Sequence, residues 1–333
     1  MPAPEPLMKA VVVDDYAAID QVALKQIARP AVTPGSVRVR VQAVGIGFVD
    51  GLKVQGRYQT KDPLPFIPGT EFAGVIDAAG DGVANLAPGQ MVMGMARSGA
   101  LAEYIVVPAE AVVPLPDGVS PEEGASFRAN YLTAYYALAE RARLQRDEIL
   151  LVLGAAGGVG TAAIQIGKLL GARVIAGAST AQKRDFALKL GADAVIDYTQ
   201  SDWRDTLKTL TQGHGADVIF DPIGGPVAVE AFRSIAWNGR HIVVGFAAGS
   251  IPALPFNLPL LKGGSLLGVD LAQLPRREPE VLARCTAELS RLLASGALKP
   301  AIVSAFALED FRSAFTTLAG RDALGKVVIR IAP

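Results

Sequence analysis

Two different hydrophobic periodicities divide the chain. Over the first third, Val37-Arg-Val-Arg-Val41 alternates apolar and polar residues, and Ala73–Ala79, Met91–Met95 and Glu103–Val107 look similar between Gly and Pro breaks. A period of two sends successive side chains to opposite faces, so these runs predict half-buried strands of an antiparallel region, such as a partly open barrel. The pattern changes near Asn130. From there apolar runs without alternation are predicted as strands at Ile149–Leu153, Arg173–Gly177, Ala194–Ile196, Asp217–Phe220, His241–Gly245 and Leu266–Val269. Segments of helical period lie between them, at Val159–Leu170, Gln182–Leu190, Trp203–Leu210 and Val227–Ala236.

A strand such as Ile149-Leu-Leu-Val-Leu153 is apolar throughout, as strands covered on both faces are. Strand–helix units repeated at this length predict a parallel, doubly wound sheet. Gly191–Asp197 and Gly215–Asp221 echo one another, which reads as two similar strand entries and not as a solenoid. After residue 272 a helix, Val281–Ala294, and a strand, Lys326–Ile331, are predicted. The expected layout is α/β: a β-rich domain from residues 1–125 and 272–333, with a Rossmann domain, residues 126–271, between its two pieces.

Composition narrows the picture. A chain of 333 residues is too long for one ordinary core, which agrees with two domains. Lys plus Arg equals Asp plus Glu, 32 each, and no basic stripe stands out, so a nucleic-acid partner is not expected. The single cysteine, Cys285, excludes an internal disulfide and fits a cytoplasmic setting. The first residues, MPAPEPLMKAVVVDD, have a Pro-rich start and a short apolar run that meets Asp14 and Asp15, which is not a signal-peptide pattern. No apolar stretch reaches membrane-spanning length, so no membrane partner is expected.

The strongest chemical signal is Leu151-Val-Leu-Gly-Ala-Ala-Gly-Gly-Val-Gly-Thr161. It follows a buried strand and opens a helix. Ala155, Gly157 and Gly160 hold the G-x-G-x-x-G spacing, with Ala156, Gly158 and Val159 between them. Small residues allow a tight turn, close approach to a pyrophosphate and packing of helix on strand, while the helix N-terminus offers free N–H groups. In NAD enzymes an acid ends the next strand, about 20 residues after the glycines, and binds the ribose hydroxyls. Here that strand runs into Ala176-Gly-Ala-Ser-Thr-Ala-Gln-Lys-Arg184, with no acid before Asp185. A 2′-phosphate would suit Ser179, Lys183 and Arg184 there, so the expected cofactor is NADPH. The alternative is that Lys183 and Arg184 only solvate a helix. A tetrahedral zinc site needs Cys, His or carboxylate clusters, and one Cys with two distant histidines, His214 and His241, builds none; no metal is expected. Both histidines and Cys285 read as structural residues.

Several stretches together resemble the zinc-independent quinone oxidoreductase branch of the medium-chain dehydrogenase/reductase superfamily. They are Tyr58–Ala73, Asn130–Leu138, the loop GAAGGVG, Asp221-Pro-Ile-Gly-Gly225, Asn257–Gly264 and Gly325-Lys-Val-Val-Ile329, in the family's order from one end of the chain to the other. Thr70, in Pro68-Gly-Thr-Glu71, stands where zinc-using relatives carry a ligand histidine, and Gly45-Ile-Gly-Phe-Val-Asp50 lacks their ligand cysteine. The resemblance implies a GroES-like catalytic domain beside the Rossmann domain, a substrate cleft between them and a homodimer. It also implies that Lys183 and Tyr198 meet the 2′-phosphate, that Thr133 lies near the nicotinamide, and that Gly245, Phe246 and Ala247 line the cofactor. Asp270, just past the last predicted Rossmann strand, joins this cofactor-binding set. Many quinone reductases have Asn at Gly47 and Tyr at Leu52; Tyr58 is the surviving aromatic, either a catalytic hydroxyl or a core tyrosine near a turn. The implied activity is metal-free hydride transfer from NADPH to a quinone, with an enone or enoyl thioester as the alternative acceptor and a non-catalytic NADPH-binding protein as a further one.

Overall fold

The computed structural model describes residues 6–320 and 323–332; the first five residues of the N-terminal segment discussed above lie outside them. The described chain forms two compact units. One comprises the chain up to Ala129 and again from Lys299; the other is Asn130–Leu298.

The second unit contains a six-stranded sheet, in the order Ala194–Ile196, Arg173–Gly177, Ile149–Val152, Ala216–Asp221, Ile235–Val243, Ser265–Gly268. Every neighbouring pair is parallel. Numbered along the chain, that order is 3-2-1-4-5-6, the doubly wound arrangement of dinucleotide-binding sheets. All four residues of Ile149–Val152 are buried, as their unbroken apolar run requires. The helices Gly158–Leu169, Ala181–Lys189, Trp203–Leu210 and Gly225–Arg233 connect the strands.

One element departs from expectation. The run read as helix to Ala236 ends at Arg233, and the next strand starts at Ile235, not His241. Ile235 pairs with Ala216, but Arg240 already pairs with Val218, so the segment between them bulges. Asn238, at φ 61, lies in that bulge, and its Trp-Asn-Gly setting hides a strand that has no period of two there.

In the first unit, seven strands form one sheet around the long strand Ser36–Ile46. It pairs antiparallel with Glu71–Ala79 along its length, with Tyr104–Pro108 near its start and with Lys326–Arg330 near its end. The alternation of Val37, Val39 and Val41 places all three in the core with Phe72, Ile76, Val92, Phe311 and Ile329. A hairpin, Leu7–Val12 with Ala23–Ala28, and the helices Phe48–Val54 and Phe311–Ala319 complete it.

The return to the first unit, expected near residue 272, occurs at Lys299. The helix Pro279–Ala294 stays with the second unit because its apolar face, Cys285, Leu289, Leu292 and Leu293, is buried there. The Tyr136 hydroxyl also donates to Glu278 at 3.0 Å, and Arg284 to Glu140 at 2.9 Å. Burial, then the Glu140 carboxylate, pushes the Cys285 thiol up to about 11, as befits a core cysteine.

The first unit contains a buried ion pair. Lys326 Nζ lies 2.9 Å from Glu71, and the other Glu71 oxygen accepts the Ala129 N–H at 2.8 Å. Burial raises the Glu71 pKa above its ordinary value, against the pull of Lys326 and that N–H. A carboxyl that keeps its proton to higher pH when folded lowers stability as pH rises through that interval, because the unfolded chain releases the proton first. Lys326→Met removes the opposing charge and should raise the Glu71 pKa further. We expect a loss of about 3–5 kcal/mol at neutral pH, the usual result of leaving one buried charge alone. That loss should shrink as pH falls toward 5, and urea unfolding of both proteins at the two pH values checks it. An equal loss at both would mean that Glu71 keeps its charge without Lys326.

Candidate functional site

The loop after Ile149–Val152 is shaped by what its glycines exclude. A Cβ on Gly160 would fall 2.3 Å from the Gly154 carbonyl oxygen and 2.8 Å from the Ala155 Cα, so the helix Gly158–Leu169 sits directly on the turn. Gly154 takes φ 59, and Ile223 covers it closely enough that a Cβ would meet the Ile223 Cδ1 at 2.7 Å. Gly157 differs. At φ −80 and ψ 170 it is conformationally ordinary, and a Cβ there meets nothing nearer than the Gly154 oxygen at 3.5 Å. The protein therefore leaves room at Gly157, at the open N-terminus of the helix, where a pyrophosphate oxygen would be received by free N–H groups. Ala155 and Ala156 are buried, and Gly158 faces the Asn130 amide, 2.8 Å from where its Cβ would be. Val159 is the second residue of the helix, in its first turn. These residues fit a dinucleotide.

Thr133 lies on the helix Arg128–Tyr135. The buried Tyr131 on the same helix donates to Gln165 on the glycine-loop helix at 3.1 Å, which fixes the two helices together. A π-helical turn, Tyr136–Arg141, follows at once.

At the end of Arg173–Gly177 the Ser179 hydroxyl lies beside that of Tyr198, and the Tyr198 ring packs against Gly177. Burial raises the Tyr198 hydroxyl above its ordinary pKa. Lys183 stands in the first turn of Ala181–Lys189, where its N–H donates to the Thr180 hydroxyl at 3.3 Å. Arg184 is engaged internally, at 2.7 Å from Asp197 and 3.2 Å from the Ala178 carbonyl. Against the upward push of burial, Thr199 and Arg184 hold Asp197 below the ordinary carboxylate range. The structure thus gathers Ser179, Lys183 and Tyr198 at one strand end and gives Arg184 a different partner.

The loop after the fifth strand is tied to the loop after the fourth. Val244 and Ala247 donate to the carbonyls of Asp221 and Pro222 at 2.9 and 3.0 Å, and Ala248 to that of Ile223 at 2.9 Å. Gly245, Phe246 and Ala247 thereby form a fixed backbone stretch at the carboxyl end of the sheet, where such folds receive ligands. Asp270 follows the sixth strand and caps a short turn through the Ala272 N–H at 3.0 Å.

Sequence reasoning missed two buried groups. Asp221 and His241 pair at 3.0 Å in the second unit. In the first unit Asp50, 1% exposed, accepts the Gly47 N–H at 2.8 Å on one oxygen, while its other oxygen is buried without a hydrogen-bond partner. Burial raises the Asp50 pKa despite that N–H, Lys326, Lys53 and Thr70. The spacing Gly47-x-x-Asp50 at a helix start was the available signal, since an acid three residues into a helix reaches back to its cap. Tyr58 lies in the same unit, after the helix Phe48–Val54, with the Lys53 ammonium 5.9 Å from its ring centroid. Lys53 is itself buried and pairs with Asp62 at 3.1 Å. Among the described residues no group of three or more His, Cys, Asp or Glu side chains could hold a metal ion, and no helix is long and apolar enough to cross a membrane. His214 pairs with Asp217 at 2.7 Å.

Comparisons with known proteins follow both units. An alcohol dehydrogenase GroES-like domain model matches residues 33–117, and a zinc-binding dehydrogenase model matches residues 158–287. A quinone oxidoreductase-like protein 2 homolog of Nematostella vectensis is 39% identical over 88% of this chain and 81% of its own length. Among solved structures, the quinone oxidoreductase of Thermus thermophilus, also solved as its complex with NADPH, superposes with a TM-score of 0.86 at 33% identity, covering 97% of this chain and all of that one. The CurK enoyl reductase gives 0.87 at 26% identity, over 98% of this chain and 100% of its own.

Gly157 and Gly160 give contrasting expectations. Gly160→Ala should lower stability by about 1–3 kcal/mol, because its Cβ overlaps backbone that cannot move alone. Gly157→Ala should leave stability nearly unchanged yet weaken dinucleotide binding at least about tenfold, or about 1.4 kcal/mol. Thermal unfolding and calorimetric titration of both variants check this; tight binding by Gly157→Ala would place the pyrophosphate elsewhere.

Proposed function

The chain belongs to the medium-chain dehydrogenase/reductase family of NAD(P)-dependent oxidoreductases, in its quinone oxidoreductase type, and from that premise we propose that it uses NADPH to reduce a conjugated carbonyl acceptor, a quinone first of all, without a metal ion. The observation that carries the reading is what stands at the positions of the zinc ligands. Where zinc-using relatives place a cysteine and a histidine, this chain has Gly47, whose N–H is donated to the buried Asp50 carboxylate, and Thr70. Without a Lewis acid, an isolated ketone is a poor acceptor. A quinone or enone is a better one, because charge develops on a remote oxygen that a few hydrogen-bond donors can hold.

NADPH supplies the hydride when bound. The residues of the chain bind and orient. The N–H groups at Gly158 and Val159, in the first turn of the helix, receive the pyrophosphate. Ser179, Lys183 and Tyr198 take the 2′-phosphate, a role that suits a strand end whose neighbouring acid, Asp197, is neutralised by Arg184. Thr133 and the stretch Gly245–Ala247 flank the nicotinamide, with Asp270 at the rim. The Tyr58 hydroxyl donates to the acceptor oxygen. Gly47 and Leu52 remove polar and aromatic bulk, which favours large apolar acceptors. The similarity to an enoyl reductase supports a second reading, in which the acceptor is an enoyl thioester.

The test is a steady-state screen of the purified chain with NADPH against ortho-quinones, enones and enoyl thioesters, with and without a chelator. Turnover of bulky quinones, unaffected by chelation, is expected; NADPH binding without any turnover overturns the enzymatic reading. In the same assay Tyr58→Phe should lower kcat about 10- to 100-fold, the equivalent of one hydrogen bond to developing charge. Unchanged turnover would make Tyr58 a wall residue.

Cofactor choice is tested separately. Lys183→Ala should weaken NADPH binding by about 1.5–3 kcal/mol, the range for a charge-assisted hydrogen bond, and leave NADH binding almost unaltered. Equal losses for both would remove the phosphate role.

We also propose a cytoplasmic homodimer. The lone buried thiol fits a cytoplasmic setting. Among the described residues the strand Ser265–Gly268 has a neighbour on one side alone, and Trp237, Phe256, Leu260, Leu261 and Leu266 are exposed in the same unit. A bare apolar edge of this kind suits a second copy of the chain. Light scattering at micromolar concentration should give twice the monomer mass; a monomer there overturns it.

A further inference from the structure

Asp221 and His241 form a buried pair that binding and hydride transfer leave without a role. Asp221 ends the strand Ala216–Asp221, the neighbour of Ile149–Val152 at the point where strand order reverses, which is where open α/β sheets hold their ligands. Every acceptor of this residue is used. One carboxylate oxygen accepts the N–H groups of Ile223 and Gly224 at 2.8 and 2.9 Å. Its carbonyl accepts Val244 and Gly245 at 2.9 and 3.3 Å. The other carboxylate oxygen accepts His241 Nε2–H at 3.0 Å.

Gly224 needs that grip, because φ 65 with ψ −145 is a conformation that only glycine adopts readily. Ile223, beside it, is the side chain that covers Gly154 in the phosphate loop. One carboxylate therefore sets the loop after the fourth strand, and through the shared backbone bonds the stretch Gly245–Ala248 as well. The orientation of that carboxylate is set in turn by His241. The ring is buried, stacked on Phe232 at 5.9 Å between centroids, and its Nδ1 has no hydrogen-bond partner. The one hydrogen bond of the ring is therefore the one from Nε2 to Asp221.

We propose that His241 is a positioning residue: through Asp221 it fixes the two loops that meet the nicotinamide end of the cofactor, and so controls affinity and turnover without touching the ligand. The inference rests on the NADPH-binding reading above. Without the Nε2–H donor, one oxygen of Asp221 is buried without a partner, the carboxylate is free to turn, and Ile223 and Gly224 lose their acceptor.

The test compares ligands that reach different lengths along the site. NADPH spans both ends, whereas 2′,5′-ADP occupies only the adenosine end. His241→Phe keeps the stacked ring and removes the donor; His241→Gln keeps an N–H donor. For His241→Phe we expect the NADPH Kd to rise about tenfold and kcat to fall, with the 2′,5′-ADP Kd within about twofold of the wild type. His241→Gln should recover most of the NADPH affinity. An unchanged NADPH Kd, or equal weakening of both ligands, overturns the proposal, the latter by showing general loss of structure. Should His241→Phe not fold, the near-isosteric Asp221→Asn must show the same split. If the wild type holds 2′,5′-ADP no better than 5′-ADP, the NADPH reading fails instead, and the split is then measured with NADH and 5′-ADP.

Discussion

The missing Cβ of Gly160 is the constraint from which the site is built. Because nothing projects there, the first turn of Gly158–Leu169 rests on the Gly154 carbonyl and the Ala155 backbone. The first N–H groups of the helix are left without partners inside it at that spot. The turn below it is so shallow that Gly154 must take a positive φ, and a side chain from the next loop, Ile223, closes over it. Each of these features follows from the one before. The glycines are thus not equivalent: Gly160 and Gly154 serve the fold, whereas Gly157 leaves space that the fold itself does not use.

The two units hold their buried charge differently. In the first, Glu71, Lys326, Asp50, Lys53 and Asp62 draw strands and helix starts together through ion pairs and backbone N–H groups. In the second, the deep polar pair is Asp221 with His241, and it is surrounded by apolar strands. Both arrangements place a carboxylate where a loop must stay in one conformation. Carboxylates suit this because each oxygen accepts more than one hydrogen bond, so one residue can hold two or three backbone N–H groups at once.

What the sequence reveals, and what it conceals, divides by distance along the chain. The glycine spacing, the apolar strands and the alternation of Val37, Val39 and Val41 are local, and each is legible because a short window contains the whole physical cause. Asp221 and His241 are 20 residues apart and meet only because their strands are neighbours in the sheet. Lys326 reaches Glu71 in the same way, across elements, and neither residue carries a local signature of the other. The start of the strand Ile235–Val243 is hidden because its bulge interrupts the period of two, and the helix Pro279–Ala294 goes to the wrong unit because a single amphipathic face does not say which core it joins. Arg184 reads as a phosphate ligand from its position, and its partner Asp197, beyond the next strand, is invisible to that argument.

The pairing of Glu71 with Lys326 has a consequence in time. The two residues are 255 positions apart in the chain. At about 5–20 residues per second, a ribosome finishes the second about 10–50 s after the first. During that interval Ser36–Ile46 lacks the strand that will cover its far edge, and Ala43, Val44 and Ile46, fully buried in the finished protein, wait beside it. The segment Asn130–Leu298 is by then complete and free to fold by itself. The nascent chain therefore carries a finished half and an unfinished one, and the unfinished half is the one that holds the bare sheet edge a chaperone would have to shield.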